Sequence, residues 1–118
     1  MVEGGFPRYG DIYDVDFDPV VGSEIGKRRP ALIVSNDFNN QYSATVTVIP
    51  ITGRPTTKRY PFEVLVPREI AGLDRDSRMK VDQIRTVDKR RLAKYRGSLP
   101  PEYFPQAEKA LRIHLNIK

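Results

Sequence analysis

In the stretch DIYDVDF, residues 11–17, apolar and acidic side chains alternate one for one from Tyr13 to Phe17. A period of two fits an extended strand with one face on a core: Tyr13, Val15 and Phe17 share one side, Asp14 and Asp16 the other. Four more runs have strand length and composition: ALIVS (31–35), ATVTVIPI (44–51), FEVLV (62–66) and MKVDQI (79–84). In the last, Met79, Val81 and Gln83 oppose Lys80, Asp82 and Ile84. Five strands spaced by about ten to fifteen residues predict a small barrel or sandwich. Pro50 cannot donate to a ladder, so its strand is expected at an edge or carrying a bulge. NDFNNQ and TGRPTTKRY, rich in Asn, Gly, Pro and Thr, read as turns, the second long, basic and expected to move. Beyond Pro100 and Pro101, Phe104, Ala107, Leu111 and Leu115 recur at helical spacing with His114 beside them, predicting a C-terminal helix that becomes regular near Pro105.

With 118 residues the chain suits a single domain over 1–118. A domain of that size buries roughly 65% of its unfolded surface. No apolar run approaches the ~18 residues of a membrane span, and the opening residues lack the basic and apolar regions of a signal peptide, so a cytoplasmic protein is expected. The absence of cysteine excludes disulfides, thiolate metal sites and a cysteine nucleophile. The single histidine, His114, excludes a paired-histidine mechanism within one chain and reads as a helix-surface or interface residue.

The net charge of +5 is unevenly distributed: residues 1–24 carry −5 and residues 25–118 carry +10. Cations cluster at Lys27-Arg28-Arg29, at Arg54/Lys58/Arg59 and at Lys89-Arg90-Arg91/Lys94/Arg96. Such clusters suit a polyanion, most obviously nucleic acid, and equally suit solvated charge that keeps a small protein soluble. Asp14, Asp16 and Asp18 share one strand face, but three carboxylates along one strand spread over about 13 Å and read as a solvated face better than as a magnesium site.

Most of the chemistry concentrates in VVGSEIGKRRPALIVSND, residues 20–37. Pro30 fits the first position of a strand, which would fix Arg29 just outside the sheet. A guanidinium held at a strand mouth matches a phosphate bidentately, better than a lysine could. Lys27 and Arg28 add unspecific attraction, and Gly22 and Gly26 let the loop backbone approach a ligand. A structural arginine paired with one of the aspartates fits the same residues.

GDIYDVDFDPVVGSEIGKRRPALIVSND (10–37), then VIPIT (48–52), then DQIRTVDKRRL (82–92), resembles in order and spacing the MazF/PemK family of toxin endoribonucleases of type II toxin–antitoxin systems, over residues 8 to 115. The resemblance implies a mainly β fold, a small SH3-like barrel with short helices and a C-terminal helix. It implies a homodimer that cleaves single-stranded RNA without metal or other cofactor and is neutralised by a cognate antitoxin. It carries Arg29 and Thr52 over as the catalytic pair, Arg28 being one residue too early. It makes the loop from Val20 to Arg28 a substrate-binding element and matches Asp82 and Gln83 to base-contacting positions. Ile25 stands where relatives often carry glutamine, which removes one base contact.

Metal-free cleavage uses the substrate's 2′-hydroxyl and yields a 2′,3′-cyclic phosphate and a 5′-hydroxyl. Arginine is too basic to take that proton, which leaves Glu24 as a candidate base or, equally, as an ion-pair partner positioning Arg28 or Arg29. Ser23, Lys27, Arg28, Arg54, Asp82 and Gln83 are the expected RNA contacts, with Phe17 or Tyr42 available for stacking. Two rival readings stand beside this one: a non-enzymatic toxin of the same fold binding a protein such as a DNA topoisomerase, and a catalytically silent nucleic-acid-binding barrel. Relatives of the first kind act through the end of the C-terminal helix, so Arg29 and Thr52 favour the nuclease.

Overall fold

The computed structural model describes residues 5–53 and 60–118. Seven strands form one antiparallel sheet: β1 (Asp11–Asp16), β2 (Arg28–Ile33), β3 (Thr45–Thr52), β4 (Glu63–Val66), β5 (Ser77–Lys80), β6 (Arg85–Asp88) and β7 (Leu92–Ser98). They pair in the order β4-β5-β3-β2-β1-β7, with β6 joined to the other end of β3. The sheet is mainly β as expected, but among the described residues it curls without closing. β6 and β7 are linked by a 3₁₀ turn, Lys89–Arg91, that makes the corner a ladder would make in a closed barrel. α1 (Asp37–Tyr42) follows β2, and α2 (Phe104–Leu115) ends the fold.

The alternation of the first strand predicts one buried face, yet both faces are covered. Tyr13, Val15 and Phe17 enter a core with Ala31, Ile33, Val46, Val48 and Val87. On the opposite face Ile12 joins a second core with Leu32, Ile49, Ile51, Val64, Met79 and the α2 residues Ala107 and Ala110. β1, β2 and β3 therefore run between two apolar layers, and each wholly buried Ile or Phe contributes about 1.5–3 kcal/mol.

Several local expectations are corrected. Pro30 lies inside β2, which begins at Arg28 and pairs Arg29 with Val15 and Pro30 with Asp14. β3 joins β2 only from Ala31 onward, so Pro30 sits where β2 has one open side and its missing N–H costs little. Pro50 is in a central strand: it falls between the β6 pairing of 45–48 and the β5 pairing of 51–52, where that edge of β3 changes neighbour. The strand expected over 79–84 stops at Lys80 and gives way to a 3₁₀ turn, Val81–Gln83, because alternation does not distinguish a strand from a strand capped by one turn. β6 and β7 were not foreseen, since RTVD is short and mixed in charge, LAKYRGS is polar and largely exposed, and neither carries a clear alternation. The NDFNNQ turn is a short helix: Asn36 caps it by accepting the Asn39 N–H at 2.8 Å. α2 begins at Phe104, close to expectation, but Leu115 is 48% exposed, because the last turn projects past β4 and the 81–83 turn beneath it. The turn predicted around residues 53–60, with Arg54, Lys58 and Arg59, falls largely outside the described residues.

Candidate functional site

The register explains why the two expected catalytic side chains meet. The β2–β3 ladder ends at the pair Ala31–Pro50. Two residues further along each strand, past the last pair, stand Arg29 and Thr52, in opposed positions that place both side chains on one face. Arg29 Nη1 donates to Thr52 Oγ1 at 3.4 Å, and its Nε donates to the Gly26 carbonyl at 2.8 Å. Nη2 makes no hydrogen bond among the described residues, and Arg29 lines the adjoining cavity, where its guanidinium is a fork suited to an anion.

That cavity encloses about 660 Å³, within the range of small-ligand sites. The β1–β2 loop forms one wall with Asp18, Ser23, Glu24, Ile25 and Lys27, and Glu63, Arg78, Lys80, Asp82 and Gln83 form another. The loop is tied down through its backbone. Lys27 N donates to Asp18 Oδ1 at 2.9 Å, and Ile25 N donates to Gln83 Oε1 at 3.1 Å. A Cβ at position 26 would lie 2.6 Å from Asp18 Oδ1, so only glycine lets that carboxylate reach the Lys27 amide. The Glu24 carboxylate accepts the Val21 N–H at 2.7 Å through Oε1 and makes no ion pair with Arg28 or Arg29 among the described residues.

Among the described residues, charge in the cavity is balanced. Lys27, Arg29, Arg78 and Lys80 face Asp18, Glu24, Glu63 and Asp82. Glu63, with its side chain only 4% exposed, bridges Arg78 at 3.2 Å and Lys80. Asp82 Oδ1 is buried and accepts no hydrogen bond among the described residues; Lys80 Nζ stands 3.9 Å away. The wall residues Glu63, Arg78 and Lys80 went unforeseen. Arg78 and Lys80 alternate along β5 on its cavity side, a pattern visible in the sequence as SRMK but indistinguishable there from a solvated face.

Of the expected RNA contacts, Ser23, Lys27, Asp82 and Gln83 line this cavity; Arg28 is exposed on β2 and does not; Arg54 lies outside the described residues. Phe17 is wholly buried and unavailable for stacking, and Tyr42 stands on α1, at the opposite end of β2 from Arg29. Much of the 89–96 basic cluster is structural. Arg91 donates to the Asp16 and Asp18 carbonyls, Arg96 to the Ala71 and Gly72 carbonyls and to Asp14, and Arg90 pairs with Asp88. Asp14 and Asp18 are thereby committed to different partners, and Asp16 accepts the Asp18 N–H at 3.2 Å. His114 is exposed on α2, its ring tilted against Phe62 with centroids 6.0 Å apart.

A curled antiparallel sheet with a C-terminal helix, holding an arginine–hydroxyl pair at the splayed ends of two strands beside a cavity, defines a small mainly β protein of one recognisable class. Comparison makes the class specific: a family model described as the PemK-like, MazF-like toxin of type II toxin–antitoxin systems matches residues 8–115, and the chain belongs to that family. Solved structures agree. MazF from Deinococcus radiodurans is 30% identical at a TM-score of 0.81, with 95% of this chain and 98% of that one covered. The MazE–MazF complex from the same organism is 29% identical at a TM-score of 0.74, covering 95% and 97%. An endoribonuclease from a mycobacterial species, solved with its cognate antitoxin, is 25% identical at a TM-score of 0.78, covering 95% and 97%.

Proposed function

We propose that this toxin is a metal-independent, sequence-selective endoribonuclease that cuts single-stranded RNA, acts in the cytoplasm as a homodimer of a single 1–118 domain, and is silenced by a cognate antitoxin. The observation that carries the reading is the Arg29 Nη1–Thr52 Oγ1 contact of 3.4 Å at the edge of a cavity of nucleotide size. The names of the related structures, an endoribonuclease bound to its antitoxin and MazE–MazF complexes, support the activity and the partner.

The substrate supplies its own nucleophile. The 2′-oxygen forms a bond to phosphorus as the bond to the 5′-oxygen breaks, leaving a 2′,3′-cyclic phosphate and a 5′-hydroxyl. DNA, lacking that hydroxyl, is not cut. Arg29 neutralises the non-bridging oxygens as negative charge builds on them, while Thr52 donates one hydrogen bond and orients the guanidinium. Glu24 accepts the 2′-hydroxyl proton: its Oε1 is held by the loop backbone, and Oε2 makes no hydrogen bond among the described residues. The 5′-oxygen takes a proton from solvent water as it leaves, and the hydroxide so formed is neutralised when Glu24 gives up the proton it took. Gln83, whose carbonyl holds the loop, has its amide N–H groups left to read a base, and Asp82, its side chain 28% exposed while Oδ1 is buried, offers its other carboxylate oxygen to a base N–H.

Incubating the purified protein with end-labelled single-stranded RNA in EDTA tests the reading. Products ending in cyclic phosphate, with the matching DNA intact, are expected; RNA left whole, whether bound or ignored, sinks it. Glu24→Gln should remove the acid limb of the pH–rate profile, and an unchanged limb takes the base role from Glu24.

A further inference from the structure

Arg29 and Thr52 border two cavities. A second depression of about 470 Å³ adjoins the first across this pair and is walled by Pro30, Gly53 and the segment Leu73, Asp74, Arg75 and Ser77. Among the described residues its cations are Arg29 and Arg75 and its acid is Asp74. The Arg75 side chain is seated on the residue that follows Thr52: a Cβ at position 53 would lie 2.3 Å from Arg75 Cδ and 2.6 Å from its Cγ. The backbone beneath it is anchored. The largely buried Ser77 donates its hydroxyl to the Arg75 carbonyl at 3.0 Å, and Asp76 accepts the Arg68 N–H at 2.9 Å. The guanidinium itself is open to solvent. Among the described residues its ion pair is with Asp74 at 3.8 Å, where the two side chains are 64% and 89% exposed. So loose and exposed a pair is worth little, and a phosphate, which accepts two parallel N–H bonds, displaces it.

We propose that Arg75 forms a second phosphate subsite. With the scissile phosphate on Arg29 and Thr52, a strand leaving the first cavity crosses that pair and enters the second, where Arg75 grips a neighbouring internucleotide phosphate. In the first cavity the four cations are matched by four acids and an amide is available to a base, while in the second the described cations, Arg29 and Arg75, outnumber the acid Asp74, which suits backbone. This inference rests on the endoribonuclease reading for the strand it places, and names a residue that reading does not use. Gly53 takes part as the seat that keeps the Arg75 stem beside the site.

The test uses a fluorescein-labelled 2′-O-methyl RNA oligonucleotide of randomised sequence, which cannot be cleaved because the nucleophile is blocked. Its binding is followed by anisotropy over a series of salt concentrations, for the wild type, Arg75→Gln, Gly53→Ala and the double variant. Losing one phosphate contact on a single strand lowers the slope of log affinity against log salt by about 0.7, the change expected for Arg75→Gln. Gly53→Ala should produce the same change by displacing the stem, and the double variant should bind no more weakly than Arg75→Gln. An unchanged slope in Arg75→Gln overturns the subsite, and fully additive losses overturn the role of Gly53 as its seat. Parallel cleavage of ordinary RNA separates this inference from the activity it rests on. A wild type that binds with an Arg75-dependent slope but cuts nothing sinks the nuclease and keeps the subsite. One that cuts while Arg75→Gln keeps the full slope sinks the subsite alone, and one that neither binds nor cuts sinks both.

Discussion

Arg29 serves three ends at once: Nε holds the Gly26 carbonyl, Nη1 holds Thr52, and the side chain lines the cavity with Nη2 making no hydrogen bond among the described residues. A lysine could occupy only one of these with a compact charge, and the planar fork would be lost. Arg29→Ala should slow single-turnover cleavage on the order of 10²- to 10³-fold, the loss of one well-placed donor to a developing oxyanion, or about 3 kcal/mol. Arg29→Lys should recover less than a tenth of the difference, because a point charge restores attraction but not alignment; recovery to near wild-type rate would show that charge alone suffices. At the same scale, Glu63 is the carboxylate around which one cavity wall is organised. Glu63→Gln removes the carboxylate that bridges Arg78 and Lys80 and leaves Lys80 the more distant Asp82 at 3.9 Å, which should cost about 2–4 kcal/mol of stability in urea unfolding, the lower part of the range reflecting the partial exposure of Lys80. A midpoint unchanged from the wild type would mean solvent already screens the pair.

Elements are joined by a few specific contacts, and the link between the sheet and α2 is sensitive to pH. The Tyr9 hydroxyl donates to Glu108 Oε2 at 3.1 Å, and the Tyr9 and Phe104 rings meet edge to face at 5.4 Å. Burial first, and then the bond to Glu108 and its charge, push the Tyr9 phenol above its ordinary value near 10. A pKa raised in the folded state means that the neutral phenol is favoured by folding. Its contribution is fully present below pH ~10 and is lost as pH rises through the higher folded value. Stability of the wild type should therefore fall more steeply with alkali than that of Tyr9→Phe, whose stability at neutral pH is lower by about 1 kcal/mol. Parallel alkaline curves would show that this bond contributes nothing. The β1–β2 loop is held by Arg29 at the Gly26 carbonyl, by Arg91 at the Asp18 carbonyl and by Gln83 accepting the Ile25 N–H, so Gln83→Leu, which removes the last of these, should raise KM through a loosened loop as well as through any lost base contact.

Over the whole molecule, the three central strands serve two cores. Ile12 packs in one and Val15 in the other, though both stand on β1. Neither layer can come apart without exposing the strand that covers the other, so unfolding should be one transition, with near-ultraviolet tyrosine and far-ultraviolet backbone signals coincident. Ile12→Ala and Val15→Ala should each shift that shared midpoint, by an amount reflecting about 2–4 kcal/mol of lost burial and cavity formation. Separate transitions for the two signals would mean that the cores fold independently.

Much of this was written locally. Period-two patterning in DIYDVDF and FEVLV, the β-branched run before Thr52 and the apolar spacing after Pro100 each dictate an element through the nearest neighbours on the chain. The Gly-Ser-Glu, Arg-Pro and Asp-Gln-Ile-Arg-Thr segments mark the family without any coordinates. What stayed hidden depended on groups far apart in sequence. β6 and β7 are strands because β3 and β1 offer them open edges, not because their own residues alternate. Arg91 and Arg96 look like ligands for a polyanion until the carbonyls they satisfy come into view. The meeting of Arg29 with Thr52 follows from the register of β2 on β3, and the seating of Arg75 on Gly53 from the packing of a distant loop against the end of β3. Side-chain pattern determines which face of a strand is apolar; only the folded chain, in which partners are chosen by mutual burial and hydrogen-bond closure, decides what lies opposite.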